Sequence, residues 1–394
     1  MNEEQVRMTK RIIKRNRALF LSILSLVVVA LVAVVCLFNV LSEDRTFSDK
    51  ENRSLAQRPQ LSKSALADGS FPGDVTDWYQ DQFFVRDGWM TLKFRAEYTM
   101  GQREFNGIYT GEEGYLLTIP AAPDEEALAN TAEAVRSFAE RNASVHMTVM
   151  VVPGAASILT DKLPAGAQVR DQAADIAGFY QKLPENIATV DAAETLRACG
   201  EEQIYYRTDH HWTSAGALAA FEAARPALGI DQGGISYKPH TVTGSFQGTL
   251  ASRSGDYRQK DRIQVYEPEG TDVIYVVNYP DEQVRSRSLF RSEMLAQKDQ
   301  YTVFFGGNHA LVEIRTSAEN DRSLLVFKDS YANSFIQFLT PYYRSIVMVD
   351  PRYYYGDIST VMNNYSVTDV LFLYSADTLF SDTALADTLT AGGA

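Results

Sequence analysis

Cysteine is nearly missing from this chain, with two among 394 residues. Cys36 falls in an uncharged apolar stretch and Cys199 stands alone in the remainder, so neither a disulfide framework nor a thiolate metal site can be built in the main part. Histidine is scarce as well, five residues with no His-x-x-x-His pair, which leaves little material for a histidine-based metal cluster. Net positive charge is confined to one end. Residues 1–41 hold six Lys or Arg against two Glu, so the chain is at −13 overall and the part beyond residue 41 is at −17. Such a surface is a poor electrostatic partner for nucleic acid. No internal repeat is visible, and the one low-complexity piece is the short end from Thr388 to Ala394.

Charge of either sign is absent from Ala18 to Leu41. These residues would span roughly 36 Å as a helix, enough for a bilayer core. The basic residues before them and Glu43-Asp44 after them predict a cytoplasmic tail over 1–17, a single transmembrane helix over 18–41 and an extracytoplasmic remainder at the cell membrane. A cleaved signal peptide is the alternative, but Cys36-Leu-Phe-Asn-Val-Leu41 lacks a small-residue cleavage pattern. Val precedes Cys36 and the apolar run continues past it, which disfavours a lipoprotein.

What is there in abundance is apolar and aromatic material, 45% and 11% with many Tyr, at 22% charge. That suits an anchor plus one large domain or two medium ones, and a secreted or polysaccharide-handling protein rather than a disordered one. Residues 42–115 read as a juxtamembrane tether followed by an aromatic helical region from Asp77 to about Met100 and a hairpin over Asn106–Leu117. From about residue 116 helix and strand alternate. Helices are predicted over Glu125–Arg141, Asp171–Leu183 and Thr213–Leu228. Strands are predicted over Val145–Val152, Ile187–Val190, Ser345–Asp350 and Asp369–Tyr374, with another before Ser330. A three-layer α/β domain with a mainly parallel sheet follows, covering 116–394 and interrupted by a mostly β insertion at about 233–320.

The chemistry gathers in two places. In Tyr205-Tyr-Arg-Thr-Asp-His-His-Trp-Thr213 an acid and an imidazole stand two residues apart, and in an extended segment they would share a side. Ser323-Leu-Leu-Val-Phe-Lys-Asp-Ser330 is an apolar run ending in a serine before a helix-like pattern, where a helix N-terminus favours developing negative charge. Serine acyl chemistry would use Ser330 as nucleophile, His211 as base and Asp209 as its orienter. Two other readings stay open. Asp209, His210 and His211 could be a metal site, or Asp209 could merely cap the helix near Thr213.

Asp209-His-His-Trp212 resembles the signature of the DHHW protein family, and Tyr-Arg-Thr-Asp-x-His-Trp is similar to alginate O-acetyltransferases of the AlgJ and AlgX type. Phe47-Ser-x-x-Glu-Asn-Arg53, Asp81-Gln-Phe-x-x-Arg-Asp87, Phe305-Gly-Gly-Asn-His309 and Lys328-Asp-Ser-Tyr-Ala-Asn-Ser334 extend the likeness over nearly the whole ectodomain. The resemblance implies an SGNH hydrolase-like fold with the acid–base block ahead of the serine block, Ser330, His211 and Asp209 as the triad, and no cofactor or metal. Where the SGNH glycine and asparagine blocks belong, this sequence has Asp350-Pro-Arg-Tyr and Ser375-Ala-Asp. Asn333, Tyr353 and Tyr354 then stand as oxyanion or substrate candidates, and Arg207 and Lys328 as groups for acidic sugars. The implied activity is transfer of acetyl groups to hydroxyls of an exported or cell-surface polysaccharide, with a membrane-spanning MBOAT-type acyltransferase as donor. A carbohydrate acetylesterase and a non-catalytic polysaccharide-binding or assembly protein are the alternatives.

Overall fold

The computed structural model describes residues 3–48, 50, 51, 53–200, 203–230 and 234–391. Asn52 of the Phe47–Arg53 motif, Gly233 at the start of the expected insertion and the last three residues of the C-terminal tail lie outside them. The described residues form two compact units, 1–95 and 96–394.

In the first unit one helix runs from Glu3 to Leu41, and its stretch Ile12–Asn39 is long and apolar enough to cross a bilayer. The aromatic helical region is two helices rather than one, Phe71–Asp81 and Arg86–Thr99, the first opened by Pro72 where a missing N–H costs nothing. The two polar motifs bind each other. Arg53 forks onto Asp81 and Arg86 reaches Glu51 at 2.6 Å.

The second unit is built on an eight-stranded sheet. Numbered along the chain, its strands are β1 His146–Val152, β2 Ala188–Asp191, β3 Tyr275–Tyr279, β4 Val284–Ser286, β5 Leu311–Thr316, β6 Ser323–Lys328, β7 Ser345–Val349 and β8 Asp369–Ser375. Their order across the sheet is β4-β3-β5-β7-β6-β8-β1-β2, parallel from β7 to β2 and antiparallel from β4 to β7. The central strands are continuous apolar runs because both faces are covered. Period-two alternation sends Leu324, Val326, Ile346, Met348, Leu371 and Leu373 into one core. Leu325, Phe327, Val347, Val349, Val370 and Phe372 enter the other. Helix Ser214–Ala224 supplies Ala217, Ala220 and Phe221 to the first core. Helix Glu125–Arg141 supplies Leu128, Val135 and Phe138 to the second. Removing a ring such as Phe327 from between these layers should cost about 3–5 kcal/mol.

Helix starts follow their caps. Asp124 accepts from the N–H groups of Glu126 and Ala127, and Thr213 accepts from that of Gly216. The cap expected from Asp209 is therefore made by Thr213. Of the β-rich stretch, Tyr237–Phe246 and Asp261–Pro268 form a separate two-stranded sheet. Strands β3, β4 and β5 instead extend the main sheet, since Val312 and Ile314 of β5 bury against the same core as β7.

Candidate active site

β6 ends at Lys328, and Ser330 is the residue before a short helix, Tyr331–Phe335. Asp329 ties this turn down. Its carboxylate accepts from the N–H of Tyr331 at 2.9 Å, and from the N–H and hydroxyl of Ser375 at 2.9 and 2.6 Å. The end of β8 thus braces the turn after β6. The Ser330 hydroxyl makes no capping bond to its own helix. It lies 2.7 Å from Nε2 of His211.

The Asp209-x-His211 segment is a tight bend, not the extended strand its spacing suggested, closed at its base by the bridge Tyr205↔Trp212. A bend serves because one carboxylate oxygen can satisfy two groups of the same downstream residue. Oδ1 of Asp209 accepts from the backbone N–H of His211 at 3.1 Å and lies 2.6 Å from its Nδ1. Oδ2 accepts from the N–H and hydroxyl of Thr249 at 2.8 and 3.0 Å. Asp261 holds the entry to the bend, accepting from the backbone of Arg207 and Thr208 and from the Thr208 hydroxyl. The two segments are also clasped directly. Trp212 Nε1 donates to the Tyr331 carbonyl at 3.0 Å, and the Tyr331 hydroxyl donates to the carbonyl of His210.

Both members of the acid–base pair are buried, Asp209 at 1% and His211 at 5% exposure. Burial opposes ionisation of Asp209, but the neighbouring imidazoles and the bonds from His211 and Thr249 outweigh it and hold the carboxyl well below its usual range. His211 is pushed down to about 4, by burial first and then by His210. The resting state is an aspartate beside a neutral imidazole. With Nδ1–H directed to the aspartate, Nε2 is left as the acceptor for the serine proton. The Ser330 N–H donates to no group among the described residues, so it is available to an oxyanion.

Asp209, His210 and His211 each offer an atom that could ligate a metal, all within 4.8 Å of one another. Both His211 nitrogens are already engaged by Asp209 and Ser330. A cation could bind there only by displacing one of those bonds.

The remaining sequence candidates separate. Lys328 is buried, 1% exposed, and its three N–H bonds are spent on Asn308 at 2.9 Å, Asn333 at 3.0 Å and Asp350 at 3.3 Å. It is thus occupied by protein groups and does not face an acidic sugar. Asn333 is buried too, accepting from Lys328 and donating to Asn308 and Gly307. Its amide is not free for an oxyanion. Arg207 lays its guanidinium over the Tyr115 ring at 5.4 Å. Tyr354 packs against the second core and donates to the Asp357 carbonyl. Tyr353 is half exposed on the loop after β7, and Tyr355, which no motif marks, is 93% exposed.

Four further residues join the site without having been expected there. Tyr301 stacks on His211, Thr249 holds Asp209, and Gly248 lets the Asp209 carboxylate approach, since a Cβ there would sit 2.2 Å from Oδ2. The fourth, Asn308, lies inside the Phe305-Gly-Gly-Asn-His309 motif, and that motif was the available signal. Its Oδ1 must face the Lys328 ammonium and the Asn333 amide, so its own exposed NH2 turns outward. Asp350 N–H donates to the Ala310 carbonyl, which sets this loop at the same end of the sheet as the serine turn.

Comparison with known proteins agrees with this architecture. A crystal structure of a DHHW family protein from Eubacterium siraeum superposes with a TM-score of 0.62 at 27% identity, over 73% of this chain and 96% of that one. Bacillus cereus PatB1, solved with a sulfonyl adduct, gives 0.59 at 19% identity, over 72% and 98%. Among curated protein sequences none matches the chain. The profile of the DHHW protein family matches residues 125–349, more than half the chain and both motif-bearing segments, so the chain belongs to the DHHW family.

Proposed function

We propose that this protein is a membrane-anchored, extracytoplasmic serine O-acetyltransferase of SGNH hydrolase-like fold. The observation that carries the reading is the unbroken line Asp209–His211–Ser330, with contacts of 2.6 and 2.7 Å. Ser330 Oγ attacks the acyl carbonyl while its proton passes to His211 Nε2, Asp209 stabilises the imidazolium, and the leaving group departs with that proton. An acceptor hydroxyl then gives its proton to His211 and takes the acyl group, and Ser330 regains its own proton. The Ser330 N–H is one oxyanion donor and the outward amide of Asn308 the second. Strand order supports the SGNH-like reading. Taken from β6, the parallel part β7-β6-β8-β1-β2 follows the doubly wound order 2-1-3-4-5, with the serine after the first strand.

The acetyl group and the glycan acceptor come from the motif resemblance to the alginate O-acetyltransferases. The apolar helix supports an anchor, and an MBOAT-type membrane acyltransferase as donor suits it. Tyr353 and Tyr355, exposed on the loop after β7, suit stacking on sugar rings. The test is full-length protein in detergent with p-nitrophenyl acetate, with and without oligosaccharides, beside Ser330→Ala. The expected result is acetate release that falls about a thousandfold or more in the variant, and acetylated sugar when an acceptor is present. Release without sugar acetylation would make it an esterase. Equal inertness of two folded proteins would leave a binding protein.

A further inference from the structure

The first unit carries an apolar surface that the chemistry above does not use. The turn between helices Phe71–Asp81 and Arg86–Thr99 is fastened to the last turn of the apolar helix. Phe84 stacks on Phe38 with ring centroids 4.7 Å apart, and the Phe84 N–H donates to Asn39 Oδ1 at 2.7 Å. Polar contacts fix the same turn from the other side, through Arg86–Glu51 and Arg45–Asp87. The next residue, Val85, has φ 53, an uncommon conformation for a β-branched side chain, and is 57% exposed. Its carbonyl accepts from the Trp89 N–H at 3.1 Å, so the helical register begins with it. Val85, Trp89 and Leu92 therefore stand at i, i+4 and i+7 on one face, and Trp89 and Leu92 are 46% and 56% exposed. Three large apolar side chains in a row toward water are not how an ordinary surface helix is patterned.

Their position names the occupant. The apolar stretch Ile12–Asn39 is 28 residues long, about 42 Å as a helix against roughly 30 Å of hydrocarbon, so Phe38 and Asn39 fall at the lipid–water boundary. Phe84 and Val85 are held at that level by direct contact. We infer that the Val85–Trp89–Leu92 face lies in the outer lipid interface, making helix Arg86–Thr99 a second, interfacial membrane contact beside the span. Tryptophan is the residue most at home there, with an apolar body and a polar N–H. This inference rests on the apolar helix being a retained span.

The test places the full-length chain, one copy per disc, in lipid nanodiscs of phosphatidylcholine and phosphatidylglycerol brominated near the headgroup end of the acyl chains. Tryptophan emission is compared for wild type and Trp89→Phe. With one of three tryptophans in the interface, brominated lipid should remove up to roughly a third of the wild-type emission beyond any loss seen in Trp89→Phe. A Val85→Ser, Leu92→Ser double variant, checked by circular dichroism for retained helix, should lose at least half of that difference. Equal quenching of wild type and Trp89→Phe would overturn the inference and leave the face to a protein partner or a second copy. A chain that fails to co-elute with the discs would instead overturn the retained span, and the interfacial helix with it.

Discussion

The imidazole of His211 lies flat on the phenol of Tyr301, ring centroids 3.8 Å apart and planes 10° from parallel. Asp209 and Ser330 fix the two ends of that imidazole, and Tyr301 fixes its plane, leaving the base no low-energy way to turn from the serine. The phenol is itself anchored by bonds to the Ser330 carbonyl at 3.1 Å and the Ser334 hydroxyl at 3.2 Å. His211 and Ser330 therefore share one brace. Tyr301→Phe should keep the stack and lose about 1 kcal/mol of stability with little change in kcat. Tyr301→Leu should lower kcat by about ten- to a hundredfold, because misplacing a reacting group by an ångström is that costly. Ester hydrolysis and denaturant unfolding on the two variants check both expectations.

The low proton affinity of His211 sets an acid limit that differs from that of a free imidazole. With its folded value pushed down to about 4, the base stays neutral and competent well below pH 6, and activity should fall only as pH drops through about 4. Stability moves the same way. The unfolded chain takes up this proton near 6.5 and the folded chain near 4, so acidification through that window favours unfolding. Part of the depression comes from His210, whose ring sits 3.9 Å from that of His211. His210→Gln should therefore move the acid limb of kcat/KM to higher pH while leaving the plateau within a few fold. A profile from pH 3.5 to 8 on both proteins decides it. An unmoved limb would show that His210 does not set it.

Much of the sheet was legible because buried parallel strands advertise themselves as unbroken apolar runs, as in His146–Val152 and Asp369–Ser375. Asp209, His211 and Ser330, which the structure brings together, were legible because local motifs carry them. Other parts depend on contacts distant in sequence. Thr249 and Gly248 meet Asp209 from about forty residues away, and nothing in their own neighbourhood marks them. Lys328 misled for the opposite reason. A lysine next to a candidate serine suggests ligand binding, yet its position at the end of a central strand buries it under Asp350 and Asn333. Strands β3 to β5 alternate like any half-covered strand, and sequence alone does not say which sheet receives them.

Gly248 offers a test of how tightly the aspartate is held. An added methyl would meet Asp209 Oδ2 at 2.2 Å and its Cβ at 2.3 Å, too close for either to stay. Gly248→Ala should displace the carboxylate, cost about 1–3 kcal/mol as overpacking does, and lower kcat at least tenfold. Gly244 lies on the neighbouring strand Tyr237–Phe246, where an added methyl would meet nothing within 4 Å, and Gly244→Ala should leave kcat unchanged. Parallel kinetics and melting curves for the two variants separate close contact from a general effect of replacing glycine.

Asn308 and Lys328 form a pair whose variants should fail in different ways. Lys328 is a buried ammonium whose proton affinity burial lowers, and it spends every N–H on Asn308, Asn333 and Asp350. Asp350 retains its fork with Arg352 at 2.8 and 2.6 Å, so replacing the lysine leaves the carboxylate paired but strips three acceptors of a donor. Lys328→Met should therefore destabilise the protein by about 1–3 kcal/mol, the usual result of leaving buried acceptors short of a donor. Asn308 is exposed and contributes little packing, so Asn308→Ala should change stability by less than about 1 kcal/mol. If its outward amide meets the oxyanion, the same variant should lower kcat by about a hundredfold with KM little changed, as loss of an oxyanion donor does. A folded Asn308→Ala protein with wild-type kcat would remove Asn308 from the oxyanion site and leave it as a prop for Lys328. Denaturant midpoints and steady-state kinetics measured on both variants distinguish a residue that holds the turn from one that acts on the substrate.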